Sequence, residues 1–124
     1  MNVLIKQARI VAPHSGNHGR IADIFIEDGI IRKIEDTITV ENTKVLQAEN
    51  LHVSIGWMDV FANFSDPGLE QNESIDTGAA SAAAGGFTHV MLVPNTSPVI
   101  SAKAQVEYIL KKAEGHSVSI YPIG

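Results

Sequence analysis

The chain has 124 residues, 44% of them hydrophobic, and a formal net charge of −5. That length can bury a core of its own, and the composition is that of a folded chain and not a disordered one. Cysteine is absent, which excludes a disulfide scaffold, a thiol nucleophile and a Cys-based zinc site and fits a cytoplasmic location.

Other classes are excluded by pattern. Lys and Arg are scattered, with Arg32-Lys33 and Lys111-Lys112 the densest pairs, so no clustered basic surface for nucleic acid is expected. No apolar run approaches the ~20 residues of a membrane span. The opening MNVLIKQARIVAP has no basic region followed by a long apolar core, so a secretory signal is not expected.

Residues 1–54 read as β-rich. Val3 to Val11 is apolar and strand-prone, and Pro13 to Asn17 is a loop. A second strand lies in IADIFIE, and Asp28-Gly29 separates it from IIRKIE. An Asp-Gly pair between β-branched runs is a strong hairpin signal. Lys44 to Gln47 is a last short strand. The expectation is a small antiparallel sheet or half a sandwich.

The pattern changes at residue 55. Trp57 to Phe64 is nearly continuously apolar, which suits a strand buried on both faces of a parallel sheet, with Trp57 and Phe61 in the core. Asp66-Pro67-Gly68 ends it. Glu70 to Ala84 reads as a helix with Glu70, Glu73 and Asp76 at its positive end, stopped by Gly85-Gly86. Phe87 to Val93 is the next buried strand. Ser101 is positioned to cap a second helix. Val106, Ile109, Leu110 and Ala113 form its apolar face, and Gly115 ends it. Ser117 to Tyr121 is a third strand. The β-α-β-α-β order calls for a parallel sheet.

IADIFIEDGIIRKI, a Gly-Xaa-Xaa-Asp strand start at Gly56, DPG, AAAGGFT and, six residues on, PNTSP together resemble the N-terminal part of a dihydroorotase, in the metal-dependent amidohydrolase superfamily. The resemblance implies an α/β chain. Residues 1–54 would be a segment of a small β-sandwich. Residues 55–124 would supply the first three strands and two helices of a (β/α)₈ barrel. Such a barrel takes about 250 residues, so it is incomplete here: the chain is expected to be part of a longer protein or to dock onto something else.

Dihydroorotases carry Asp-Xaa-His-Xaa-His at the end of the first barrel strand. Imidazoles two residues apart on a strand point the same way and can share a zinc at about 2 Å, whose bound water becomes the attacking hydroxide. Here the positions read Asp59-Val60-Phe61-Ala62-Asn63. Phe61 has no lone pair, and the amide of Asn63 is a poor zinc ligand. Ser65 stands where the family has a carboxylate-binding Arg. Asn95 matches a substrate contact in the PNT loop. The family's remaining ligands, a carboxylated Lys, two His and a catalytic Asp, would lie after residue 124.

No metal ligand, catalytic residue or cofactor is therefore expected within the chain, and Asn95 is the candidate substrate contact. Asp59 is expected to accept backbone hydrogen bonds. His14 and His18 should be solvated, and His52, His89 and His116 show no ligand spacing. The resemblance implies a role in pyrimidine biosynthesis with hydrolysis absent or weak. Two alternatives stay open: an active cyclic-amide hydrolase using one metal held by later residues, and a non-enzymatic scaffold or ligand-binding partner of aspartate carbamoyltransferase. The expected partners are a dihydroorotate-like small molecule, further copies of the protein, aspartate carbamoyltransferase or the rest of its own chain.

Overall fold

The computed structural model describes residues 1–123. The chain divides into two compact units, Met1–Ile55 and Gly56–Gly124.

The first unit is a five-stranded sheet. Strands β1 (Asn2–Val11), β2 (Ile21–Glu27) and β3 (Ile30–Glu35) form an antiparallel meander. Asp28 and Gly29 turn between β2 and β3, both with positive φ (49° and 78°), as an Asp-Gly two-residue hairpin requires. The sheet is not purely antiparallel as expected. β4 (Lys44–Leu46) and β5 (His52–Ser54) both pair parallel with β1, one at residues 3–5 and the other at residues 9–11. β5 escaped the sequence reading because three residues are too few to show a period.

Between Ile5 and Ala8 the β1–β2 register shifts, and Gln7 takes a positive φ of 48°. The bulge frees the Gln7 N–H from the ladder and aims it at Asp23, whose side chain is fully buried. The Asp23 carboxylate accepts from Gln7 N–H (2.9 Å), Gln7 Nε2 (3.1 Å), Lys6 Nζ (2.7 Å) and Ile38 N–H (2.8 Å). One side chain thus ties the bulge in β1, the centre of β2 and the segment after β3. Around it Leu4, Phe25 and Ile38 pack in one cluster and Ile10, Ala22 and Ile24 in another.

The second unit is a three-stranded parallel sheet in the order β6 (Trp57–Ala62), β7 (Phe87–Leu92), β8 (Ser119–Pro122). Helices α1 (Ile75–Ala84) and α2 (Lys103–Ala113) share one core with it: Ala62, Phe64, Val90, Leu92 and Ile120 from the sheet side meet Ile75, Ala79 and Ile109. Gly78 lets α1 close on the sheet, since a Cβ there would lie 2.5 Å from the Phe64 ring.

Four expectations are corrected. α1 starts at Ile75, not Glu70, because Ser74 caps it: Ser74 Oγ accepts the Thr77 N–H while Thr77 Oγ1 accepts the Ser74 N–H. Only Asp76 lies in its first turn. α2 is capped at Ala102 and not at Ser101, with no side-chain acceptor at the cap; instead Gln105 reaches back, its Oε1 accepting the Ser101 and Ala102 N–H groups. Leu110 is 47% exposed, so the buried stripe of α2 is Ile109 flanked by Val106 and Ala113. Trp57 and Phe61 are not core residues but 62% and 76% exposed. Among the described residues β6 pairs only with β7, and most of its apolar run is exposed.

Asp23 makes the first unit acid-sensitive. Burial alone would raise its pKa, but the bonds from Lys6, Ile38 and Gln7 outweigh burial and hold the carboxyl well below its ordinary 3.8. A depressed carboxylate contributes stability above its unfolded pKa and loses it as pH falls through the folded value. Asp23→Ala should cost about 3–5 kcal/mol near neutral pH by chemical denaturation, from the orphaned donors and the unpaired Lys6. The gap to the unsubstituted chain should narrow as pH drops below about 4; a gap independent of pH would refute this account.

Candidate functional site

The candidate positions sit where β6 and β7 run out into loops. Asp59, near the middle of β6, is half-buried and accepts the Phe61 N–H at 2.9 Å, a backbone bond of the kind expected of it. Phe61 and Asn63 are exposed and Ser65 half-buried. Asn95 is exposed next to buried Thr96, whose Oγ1 donates to the Pro98 carbonyl at 2.8 Å.

The two loops are joined by main chain. The Ser97 N–H donates to the Pro67 carbonyl at 3.0 Å, and the Val93 N–H to the Ala62 carbonyl at 3.0 Å. Gly68 has φ +101°, and a Cβ there would lie 1.7 Å from the Ser97 carbonyl oxygen. Only glycine permits both that conformation and that approach.

Asp66, read from sequence only as a strand terminator, is the buried centre of this region. Its side chain is fully buried. Oδ2 accepts from the Ile75 N–H at 3.1 Å and from Lys112 Nζ at 2.5 Å, and Oδ1 accepts from Tyr108 Oη at 2.9 Å. The Ile75 N–H belongs to the first turn of α1, where free donors and the helix dipole favour a carboxylate. Burial raises the Asp66 pKa, but the bonds from Lys112, Ile75 and Tyr108 prevail and lower it. The Asp66 bond outweighs burial at Lys112 and raises its ammonium above its ordinary value. The readable signal was Tyr108 and Lys112, four apart on one helix face; the distant acid they serve has no local signature.

Glu70, Glu73 and four of the histidines have partners of their own. Glu70 lies in the loop, fully exposed, accepting the Gly68 N–H at 2.8 Å, which lowers its pKa. Glu73 accepts from the Thr77 hydroxyl. His18 Nδ1 accepts the Ala12 N–H, His52 Nδ1 lies 2.7 Å from the Asn50 carbonyl oxygen, and His116 meets Asp76 at 2.9 Å. His89 stacks on Tyr121 with ring centres 5.9 Å apart. Among the described residues no three His, Asp or Glu side chains converge as a metal site. At the positions where the resemblance would place two imidazoles, the Phe61 ring has no donor atom and Asn63 offers only an amide. The residues present do not fit a zinc ion.

The frame can be tested at two points. Lys112→Met should destabilise the second unit by about 3–5 kcal/mol, because it strands a buried carboxylate; a loss under about 1 kcal/mol, the range of surface pairs, would contradict this. Gly68→Ala should cost more than the ~1–3 kcal/mol of ordinary overpacking. Gly16→Ala, with nothing within 4 Å of the new methyl group, should be near neutral in the same melt.

Comparison with known proteins places this arrangement. Residues 52–123 match the Dihydro-orotase-like family. The chain is 43% identical over 126 residues to the dihydroorotase of Citrifermentans bemidjiense, covering 100% of the chain and 30% of that protein. It is 44% identical over 123 residues to the dihydroorotase of Acetivibrio thermocellus, covering 98% and 29%. The L-hydantoinase (dihydropyrimidinase) of Arthrobacter aurescens shares the fold, with a TM-score of 0.75 at 22% identity over 98% of this chain and 27% of that one. The chain thus spans about 30% of the length of the curated relatives it matches. With a small β-sheet unit followed in sequence by a parallel β-α-β-α-β unit of amidohydrolase fold, and with about 40% identity to dihydroorotases along its length, the chain belongs to the Dihydro-orotase-like family.

Proposed function

We propose that the protein acts in pyrimidine biosynthesis as a dihydroorotase-like protein whose zinc-dependent hydrolysis is absent or weak. The observation that carries this reading is the pair Phe61 and Asn63. A zinc site needs lone-pair donors that converge, and an exposed phenyl ring at one position and a neutral amide at the other supply no such pair. Without them the metal-bound water, the family's nucleophile, has lost two ligands of its metal. Ser65 carries no charge for a substrate carboxylate, and Asn95 remains as the candidate substrate contact.

The role that remains is a scaffold: a cytoplasmic partner of further copies of itself or of aspartate carbamoyltransferase, retaining affinity for a dihydroorotate-like ligand. No helix among the described residues is long and apolar enough to cross a membrane. A second reading is favoured by the intact frame, in which Asp66, Gly68 and Ser97 hold both loops. In that reading one metal, bound by residues after position 124, supports hydrolysis of a cyclic amide.

The test is the protein carrying its complete reading frame. Elemental analysis should find zinc well below one per chain. Dihydroorotate hydrolysis should run at least ~1000-fold below the ~10 s⁻¹ of a median enzyme. Phe61→His combined with Asn63→His should raise zinc affinity. One zinc per chain with turnover in the ordinary enzymatic range would overturn the proposal in favour of the second reading.

A further inference from the structure

The geometry points to Asp66 as a positioning residue, which sets both loops of the candidate site by binding the start of α1 and the end of α2 at once. The inference does not depend on whether the site hydrolyses anything.

Asp66 stands three residues after Asn63 and one after Ser65, so its anchorage fixes the path of the segment that carries them. Its carboxylate takes one bond from α1, the Ile75 N–H, and two from α2, Tyr108 Oη and Lys112 Nζ. The Lys112 ammonium also lies 5.5 Å from the centre of the Tyr108 ring, so the two α2 partners steady each other. The next two residues pass this order on. Pro67 accepts from the Ser97 N–H, and Gly68 lies against the Ser97 carbonyl. Asn95 is two residues from that contact. A chain of direct contacts therefore runs from α2 through Asp66 to the loop of Asn63 and Ser65, and on to the loop of Asn95.

The cationic end of this chain is accessible. The Lys112 side chain is 33% exposed, while Asp66 is fully buried. Releasing Lys112 leaves a carboxylate that water cannot reach unless the loop moves. The expected response is local opening of the loops, because Ile75, Val90, Leu92, Ile109 and Ile120 hold sheet and helices together without any of these polar groups.

Hydrogen exchange with peptide-level readout, on the protein carrying its complete reading frame, tests this. In Lys112→Met and Asp66→Asn, peptides spanning 63–72 and 94–99 should exchange faster by ~10-fold or more beyond whatever acceleration the general loss of stability gives 88–92 in β7. Tyr108→Phe should give a smaller change in the same peptides. Lys112→Arg, which keeps the charge and has solvent room for its longer side chain, should restore protection. Unchanged exchange in both loops would overturn the inference. So would acceleration spread evenly over β6 to β8, the mark of general destabilisation. If Asp66→Asn does not fold, Lys112→Met and Tyr108→Phe decide the matter on the same criteria.

Discussion

The buried carboxylate of Asp66 is the constraint around which the second unit closes. A charge with no water contact must find its full set of donors in the protein, and those donors come from separate places. One is a main-chain N–H in the first turn of α1; the others are side chains on α2, more than forty residues away in sequence. Meeting the demands of one side chain therefore fixes two helices against a loop. The apolar core shares the task, since Phe64 and Ile100, both outside the regular elements, pack in the same cluster as Ala79, Ile109 and Val90.

The first unit is organised in the same way. Asp23 is also fully buried and also gathers donors from distant segments. The difference lies in how the backbone supplies them. In the second unit a helix start has spare N–H groups by construction. In the first, a strand has none to spare, so β1 breaks its ladder at Gln7 and accepts a left-handed conformation there. A bulge at a non-glycine residue costs conformational energy. The hydrogen bonds gathered on Asp23 are what offset it.

Much of this architecture was readable because it is local. The Asp28-Gly29 turn, the Gly85-Gly86 stop and the order of strands and helices after residue 56 each rest on neighbouring residues. The motifs at Asp59, Gly68 and Asn95 pointed to the family. What escaped had several causes. The starts of α1 and α2 are set by Thr77 and Gln105 reaching back to their caps, which outweighs the acids at Glu70 and Glu73 and the hydroxyl of Ser101. The parallel pairing of β4 and β5 with β1 comes from strands too short to show a period. Trp57 and Phe61 have the composition of buried strand residues, but burial needs a partner, and β6 has few within the described residues. At the candidate site the sequence identified Phe61 and Asn63 as positions without an imidazole. It did not identify Asp66, whose partners converge only in three dimensions.

The contact at Gly68 carries an evolutionary consequence. The methyl group it excludes would strike a backbone carbonyl, that of Ser97, so no choice of side chain at 97 can relieve the clash. Position 68 is bound to glycine by the path of the main chain, independently of what the site does. Phe61 and Asn63, with exposed side chains in this chain, are under no such bond, since replacing an exposed side chain changes folding stability little. Selection for a folded protein thus constrains position 68 and leaves positions 61 and 63 free.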